Sequence, residues 1–584
     1  MRPRSLFFLS LTVFLVIYFV YGLHRFSLGI DFTDEGAYVA WPLRFFFGEK
    51  AFASELMTLI RPIEVYLTLP FQLRPSMTLY EIRMLGWCLH LLAFSTLSYY
   101  LFRLSAAPLQ SLLISSIPLF VCHIFGLAPI AYNTLSSDCL ILALSFKGIS
   151  DLASSNWKLP LEVGAGLALF VATFAHPGLG VVAVCMISYE IFCRELLSNL
   201  RRRQLVASNA GCFVFVACWI LFFIYLLQSG ALANWLERIG FLRSDTINTL
   251  LGDSVWFYIQ LFLYPSYYSA IGLMFSLMMI AVAIALHLLV RAARREYSGR
   301  IATLLVAVFL AALVCTFNYE SSYLPTCFAL ISIVVIITFW LGPHDALFNI
   351  PSSVRFLLLL SGIAAICYTR FTYYFYPYRS WISGILALPF AFSVGLTLLL
   401  KMNTARLDPI RLMVGALLLI AVPCVIREHY WHICRELSPP ALQSYFNIPK
   451  LCNIRSTEER VRAVEDLYFY LQPKISRGEP LLVFDDCPML YYLFDAMPAY
   501  GLTWASRFGF NITLLEQLNR ELLAKQLPHY TVRTLVNVSE PIWGNAPRTN
   551  YDHYPLNETV MANYQLEKTI FPFEIWRLSS VPAP

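Results

Sequence analysis

Long apolar runs separated by polar or basic segments dominate the chain up to about residue 427. Thirteen of these runs approach or exceed the length of about 20 residues that an α-helix needs to cross a lipid bilayer. They lie at residues 5–23, 83–103, 109–127, 129–147, 160–176, 178–194, 208–228, 265–290, 301–316, 322–341, 354–370, 381–400 and 408–427. The pattern therefore predicts a polytopic α-helical membrane protein with about 13 transmembrane helices.

The basic residues between the apolar runs predict how the helices are oriented. Cytoplasmic loops of membrane proteins carry an excess of Lys and Arg. With the N-terminus and its Arg2 and Arg4 in the cytoplasm, the basic clusters at 194–203, 291–300 and 401–411 also fall inside. The first run resembles a signal sequence without a small-residue cleavage site, so we expect an uncleaved helix. An odd number of helices then places the C-terminus outside the cytoplasm.

Two domains are predicted from the switch between apolar and polar composition. Residues 1–427 form the transmembrane domain, which includes a first outer loop at 24–82. Short amphipathic stretches of this loop, such as 38–47, are expected to lie as helices in the membrane interface. Residues 428–584 form an extracytoplasmic α/β domain. Its helical patterns are at 458–471 and 514–527, and its strand-like runs are at 481–484, 530–532 and 573–576.

Composition supports a membrane protein and excludes two other classes. Of 584 residues, 58% are hydrophobic and 13% are charged, which excludes a soluble domain of this size. The net charge is only +6, and no basic stretch has the density of a nucleic-acid site. Most of the 14 cysteines lie in apolar runs, and none has metal-binding spacing. A disulfide between Cys434 and Cys452 would require an oxidising compartment, and the sequence leaves it open.

Candidate chemistry begins directly after the first apolar run. Asp31, Asp34 and Glu35 lie within five residues there, and Arg61 and Glu64 follow in the same predicted loop. Acidic groups are costly to desolvate at a membrane, by roughly 2.5–3.5 kcal/mol per charge on the mild insertion scale, so such a cluster needs a reason. A carboxylate can take a proton from an acceptor hydroxyl, and a guanidinium can hold a leaving phosphate. The alternative is an ion-pair network that only fixes the loop.

These features resemble the GT-C glycosyltransferases, in particular the protein O-mannosyltransferases and the ArnT-like lipid A aminoarabinose transferases. Asp34 matches the catalytic Asp of their first outer loop, and Arg61-Pro62 stands where relatives carry a basic residue and prolines. Asp138 matches an Asp that begins the fourth helix. His176-Pro177-Gly178 replaces a Lys-Gly-Pro motif, and Tyr323-Leu324-Pro325 is similar to a Tyr-Leu-x-Pro motif. The C-terminal turn at 491–500 is also similar.

The resemblance implies a GT-C fold and an inverting transfer of a monosaccharide from a polyprenyl-phosphate donor to an acceptor hydroxyl on the outer face of the membrane. It assigns catalysis to Asp34 and Glu35, donor phosphate binding to Arg61 and His176, and substrate binding to Asp31, Tyr38, Glu64, Asp138 and Tyr323. Arg379, which follows an aromatic run and faces outward by the predicted topology, is a further candidate for donor phosphate binding. Asp31 is the alternative base. Asp138, His176 and Tyr323 also have structural interpretations as a helix-end partner, a helix cap and an interface aromatic. No metal or other cofactor is expected to be obligatory, although a divalent cation fits the acids.

The expected partners are a polyprenyl-phosphate-linked sugar, a lipid, glycan or protein acceptor, and membrane lipids, but no nucleic acid. A bacterial inner membrane is favoured over the endoplasmic reticulum. The main alternative function is a transporter or flippase of a lipid-linked sugar, which would share the apolar bundle and its charged mouth. Such transporters usually show internal repeats, and none is visible in this sequence. A non-catalytic scaffold that presents the C-terminal domain is the other alternative.

Overall fold

The computed structural model of the chain describes residues 3–47, 74, 76–121, 132–153, 155–190, 202–232, 351–371, 387–401, 435–484, 487–499, 503, 516, 519–520, 522–524, 526–546 and 555–579. The predicted spans at 265–290, 301–316, 322–341 and 408–427 lie outside these residues. Each of the other nine predicted spans overlaps a described helix.

In the first part of the chain, the described secondary-structure elements are helices. In chain order the helices are α1 (Pro3–Arg25), α2 (Asp34–Phe46), α3 (Leu79–Ser105), α4 (Pro108–Val121), α5 (Tyr132–Leu152), α6 (Ser155–Ala175), α7 (Gly180–Ser188), α8 (Arg202–Gln228), α9 (Ser352–Phe371) and α10 (Pro389–Lys401). By length and apolar composition, four helical stretches could each cross a membrane, namely Pro3–Arg25, Leu79–Ser105, Asn156–Ala175 and Asn209–Gln228. The chain is an integral membrane protein. The total of 13 helices stays a prediction.

Local sequence explains where α3 begins and how α6 meets α8. Thr78 and Glu81 form a capping box, in which the Thr78 hydroxyl accepts from the Glu81 amide and the Glu81 carboxylate accepts from the Thr78 amide. Gly166 and Gly211 face each other so closely that a side chain on Gly166 would overlap the backbone of Gly211. Small residues at such contacts let helix backbones approach in a membrane.

The C-terminal region is a sheet with helices packed on it. Its elements are β1 (Ser444–Tyr445), β2 (Arg455–Ser456), α11 (Glu458–Leu471), β3 (Pro480–Phe484), α12 (Met489–Phe494), β4 (Met497–Pro498), β5 (Tyr530–Thr534), α13 (Pro555–Asn563), β6 (Tyr564–Ile570) and β7 (Phe573–Leu578). The five-stranded sheet has the order β4-β3-β5-β7-β6, with β3 parallel to β4 and β5 and with β7 antiparallel to β5 and β6. The predicted α/β character of this region is confirmed, and α11 has the predicted bounds. Of the predicted helix at 514–527, the structure describes residues 516, 519–520, 522–524 and 526–527, and those at 516, 519–520 and 522–523 are helical.

Helix α2 lies between the helical bundle and the C-terminal sheet domain. Tyr38 and Trp41 belong to an apolar cluster that contains the bundle helices and also part of the sheet domain, whereas Val39, Ala40 and Leu43 belong to a second cluster formed mostly by the sheet domain. Both faces of α2 are covered by protein, and the expectation that this stretch lies at the membrane interface stays a prediction. α2 therefore joins the two parts of the molecule.

The segment between α1 and α2 is bound to the sheet domain through its backbone. The Gly29 amide donates to the Arg455 carbonyl at 2.7 Å, and the Arg455 amide donates to the Ser27 carbonyl at 2.7 Å. The Met489 amide donates to the Phe32 carbonyl at 3.2 Å. Residues 29–35, which we call the acid loop, are thereby held at the junction of the bundle and the sheet domain.

Candidate active site

The acid loop ends in the first turn of α2, and Asp31 caps that turn. One carboxylate oxygen of Asp31 accepts from the amide and the hydroxyl of Thr33, at 3.0 and 2.8 Å. The other oxygen accepts from the Glu35 amide at 3.3 Å. Asp at a helix N-terminus satisfies amides that have no partner within the helix. Asp31 is only 2% exposed, so its carboxylate is committed to this structural contact.

Glu35 is fully buried and forms an ion pair with Arg83 of α3. Both guanidinium arms bond to the carboxylate, from Nε to Oε1 at 2.6 Å and from Nη2 to Oε2 at 2.6 Å. The same guanidinium donates to the carbonyls of Phe26 at 2.8 Å and Gly29 at 3.0 Å. This bidentate geometry ties the acid loop to the start of α3. Glu35 thus lies inside a packed network and not at its surface.

Arg435, at the start of the described C-terminal region, bonds to two acids of the loop. Its Nη1 lies 2.8 Å from Oδ1 of Asp31, and its Nη2 lies 2.7 Å from Oδ2 of Asp34. The side chains of Arg435 and Asp34 are 24% and 23% exposed. Among the three loop acids, Asp34 is therefore the one that a substrate can reach.

A second ion pair lies beside Arg435, in the sheet domain. The Glu436 carboxylate accepts from the Ile30 amide at 3.1 Å, from the Ser456 hydroxyl at 2.6 Å and from Arg460, whose Nη1 is 3.3 Å away. Arg460 also donates to the carbonyl of Arg435 at 2.8 Å. Burial raises the pKa of Glu436 above its usual value, and the Arg460 guanidinium opposes this shift.

Aromatic packing connects the acid loop to the sheet domain. The guanidinium of Arg460 lies 4.8 Å from the ring centre of Trp543. The same Trp543 ring makes an edge contact with Phe32 of the acid loop, at 5.5 Å between ring centres. The loop therefore presents its acids at one side and packs an aromatic side chain into the sheet domain at the other.

The other predicted site residues lie elsewhere. Tyr38 is buried against Trp41. The Asp138 carboxylate lies 2.5 Å from Nδ1 of His90, and both side chains are buried. Since His90 is two turns along α3 from Arg83, this pair lies about 10 Å deeper in the bundle. His176 is buried where α6 ends. The remaining predicted residues, Arg61, Glu64, Tyr323 and Arg379, are outside the described residues, as is Cys434, so the proposed disulfide is untested.

The structure unites the predicted acids Asp31, Asp34 and Glu35 but adds partners that sequence reasoning missed. Arg83, Arg435 and Arg460 hold the loop, and His90 holds Asp138. An Arg and a His within an otherwise apolar helix were a usable signal, because ionisable residues there are rare and need partners. Among the residues that the structure describes, no group of three His, Cys, Asp or Glu side chains is arranged to hold a metal ion.

The arrangement combines a fixed network with one accessible carboxylate. The ion-pair network that was the alternative interpretation of the acid cluster is present. Within it, Asp34 has an oxygen bonded to Arg435 and a side chain that remains partly exposed. A carboxylate in this position can accept a proton from a substrate hydroxyl.

Comparison with known proteins finds similarity among solved structures only. No protein family matches the sequence, and no curated protein sequence matches it. The crystal structure of ArnT from Cupriavidus metallidurans bound to undecaprenyl phosphate is 12% identical, with a TM-score of 0.41 over 98% of this chain and 99% of ArnT. The archaeal oligosaccharyltransferase AglB from Archaeoglobus fulgidus, in complex with an inhibitory peptide and a dolichol-phosphate, is 12% identical, with a TM-score of 0.44 over 100% of this chain and 75% of AglB.

An Archaeoglobus fulgidus oligosaccharyltransferase in complex with Zn and sulfate is also 12% identical, with a TM-score of 0.42 over 89% of this chain and 68% of that one. The structural neighbours thus include ArnT, the type of protein that the motifs resemble. At this level of identity, function has to be argued from the residues of the site.

Proposed function

We propose that this protein is an inverting membrane glycosyltransferase that moves a monosaccharide from a polyprenyl-phosphate donor to an acceptor hydroxyl. The observation that carries the proposal is the position of Asp34. It is the accessible acid of a loop whose other two acids are buried in fixed contacts. The motif resemblance, in which Asp34 matches the catalytic Asp, points to the same residue.

In the proposed reaction, the Asp34 carboxylate takes the proton of the acceptor hydroxyl. The acceptor oxygen forms a bond to the anomeric carbon, and the bond from that carbon to the phosphate oxygen breaks. The electron pair leaves with the phosphate, so the products are the glycosylated acceptor and a polyprenyl phosphate. Attack from the face opposite the phosphate inverts the anomeric configuration, as in inverting hydrolases.

The other site residues take supporting roles in this proposal. Glu35 is assigned to fixing Arg83 rather than to touching substrate, because its carboxylate is fully buried in that pair. Arg61 and Arg379 remain the proposed contacts of the donor phosphate, since a guanidinium binds phosphate with two parallel bonds. Lipid, glycan and protein hydroxyls all fit as acceptors. By the distribution of basic residues, the active end faces away from the cytoplasm.

The test is sugar transfer by the purified full chain in nanodiscs. It uses a panel of radiolabelled undecaprenyl-phosphate monosaccharides, with total membrane extract as the acceptor source. Wild type should release undecaprenyl phosphate and form a labelled product, whereas Asp34→Asn should not. Turnover that is unchanged by EDTA would support a metal-independent reaction, and loss restored by Mn²⁺ or Mg²⁺ would assign a divalent cation.

Two outcomes of this test and one outcome of a separate topology test contradict parts of the proposal. Equal turnover by wild type and Asp34→Asn removes Asp34 as the base, and Asp31→Asn then tests the alternative. Transport of labelled donor across a liposome membrane without transfer favours a flippase. For topology, exposed Cys452 should react with a membrane-impermeant maleimide in intact cells treated with a reductant, which would open a disulfide to Cys434. Reaction only after lysis would place the sheet domain in the cytoplasm.

A further inference from the structure

We propose that Arg435 is a positioning residue, through which the C-terminal domain fixes the carboxylate of Asp34 for proton transfer. This inference rests on the proposed function. Arg435 follows the predicted last transmembrane helix and is more than 400 residues away from Asp34 in the chain. The transmembrane part would then supply the base, and the C-terminal domain would determine its orientation.

The geometry of the guanidinium supports this role. Its two terminal nitrogens bond to different carboxylates, Nη1 to Asp31 at 2.8 Å and Nη2 to Asp34 at 2.7 Å. Asp31 is buried and already bonded to the first turn of α2, so it is a fixed point. Because the guanidinium is planar and rigid, its bond to Asp31 also determines where it meets Asp34.

Arg435 is itself held in place. Its backbone lies in the left-handed region, with φ of 57°, which costs an L-residue steric energy and persists only where surrounding contacts enforce it. Two such contacts are present, one at the carbonyl of Arg435 and one at the residue that follows it. Arg460 donates to the carbonyl of Arg435 at 2.8 Å, and the next residue, Glu436, accepts from the Ile30 amide of the acid loop at 3.1 Å. The sheet domain thus fixes the backbone from which the guanidinium extends.

Kinetics can separate this role from binding of the donor phosphate. Both terminal nitrogens of Arg435 are bonded to carboxylates of the acid loop, which is the geometry of a residue that orients those carboxylates. A residue that only orients the base changes kcat and leaves donor affinity nearly unchanged, whereas a phosphate ligand changes KM. The kinetic constants of variants therefore distinguish the two roles.

The experiment measures kcat and donor KM for Arg435→Gln and Arg435→Lys in nanodiscs, with thermal unfolding recorded for each. Since a misplacement of about 1 Å can lower a rate about 100-fold, we expect Arg435→Gln to lose about 100-fold in kcat with donor KM within about twofold of wild type. Arg435→Lys should lose less, because it keeps the charge but not the fork. Arg462→Ala is the matched control, since Arg462 is an exposed arginine of the same domain paired only with Glu458 by the contacts seen.

Asp31→Asn provides a second arm that does not change Arg435. If Asp31 anchors the guanidinium, the fold-loss in kcat of the double variant Asp31→Asn/Arg435→Gln should be smaller than the product of the fold-losses of the two single variants. An Arg435→Gln variant that transfers sugar like wild type overturns the inference, as does one whose defect is confined to KM. If Arg435→Gln does not fold, the Arg435→Lys variant decides, because unchanged kcat there overturns the inference. Absence of transfer by wild type itself would instead refute the proposed function.

Discussion

Replacing Arg83 with methionine tests whether one buried ion pair holds the acid loop in place. The substitution removes both bonds to Glu35 and leaves that carboxylate, with no exposed surface, without its cation. Charge-assisted hydrogen bonds contribute roughly 1.5–3 kcal/mol each. Removal of one member of a buried ion pair costs roughly 3–5 kcal/mol. Two such bonds, or one broken buried ion pair, each correspond to a loss of about 4 kcal/mol in the free energy of unfolding.

The assay is thermal unfolding of the purified protein, followed by tryptophan fluorescence and repeated in denaturant. Arg74→Met is the matched control, because Arg74 bonds to Glu81 at 2.6 Å with side chains that are 59% and 31% exposed. That pair should contribute at most about 1 kcal/mol. Adding Glu35→Leu to Arg83→Met should recover part of the loss in the free energy of unfolding, because the apolar pair contains no buried charge that lacks a counter-ion. Recovery should be incomplete, because the double variant still loses the hydrogen bonds that Arg83 donates to the carbonyls of Phe26 and Gly29.

A loss in Arg83→Met no larger than that in Arg74→Met would refute this reasoning. It would mean that water reaches Glu35 in the folded protein, or that the acid loop contributes little to stability. In either case, the argument that burial singles out Asp34 as the accessible acid would fail as well. The prediction therefore tests the physical basis of the proposed site independently of any activity measurement.

Three further predictions concern packing and charge elsewhere. Gly36→Ala would place a methyl carbon 2.8 Å from Cα of Met489, so it should cost roughly 1–3 kcal/mol, whereas Gly180→Ala, with nothing within 4 Å, should leave the melting temperature nearly unchanged. Lys147→Met removes the cation that binds two buried glutamates, Glu162 at 2.7 Å and Glu190 at 2.8 Å. It should lower the free energy of unfolding by roughly 3–5 kcal/mol in the same thermal unfolding assay. Because burial raises the pKa of Glu436, its contribution to stability is full below its unfolded pKa of about 4.5 and is lost as pH rises through the folded value. Glu436→Gln should remove this dependence from melting temperatures measured over a pH series that starts below the unfolded pKa and rises from there, and equal pH slopes for both proteins would contradict it.

Local patterns were sufficient to predict the elements whose stability depends on their own sequence. Helix α11 runs over Glu458–Leu471 as predicted, with Thr457 as its N-cap and one apolar face on the sheet. The strands β3, β5 and β7 begin at or next to the predicted residues, because apolar β-branched runs between turn residues are typical of buried strands. Strand β6 was missed, since its residues are mostly polar and mostly exposed.

The partners of the acid loop could not be predicted, because they come from distant parts of the chain. Arg83 stands at the start of an apolar run, where it is naturally interpreted as a helix boundary, although its partner Glu35 lies 48 residues earlier. Arg435 and Arg460 are ordinary residues of a polar region until the fold brings them to the loop. For α2, the amphipathic pattern predicted an interfacial helix, but the pattern could not show that protein from distant parts of the chain covers both of its faces.

The cost of burying acids explains why this site has the form that it does. Each buried acid of the loop is compensated by donors from a different element, with Arg83 from α3 on Glu35 and the first turn of α2 on Asp31. Such compensation makes the loop rigid, which is also what a general base requires of its surroundings. Asp34 departs from this arrangement, since its ion pair is partly exposed and comes from the C-terminal domain. The ion-pair network and the catalytic interpretation are therefore compatible, because the network fixes the loop and the accessible acid is the one that it leaves at the surface.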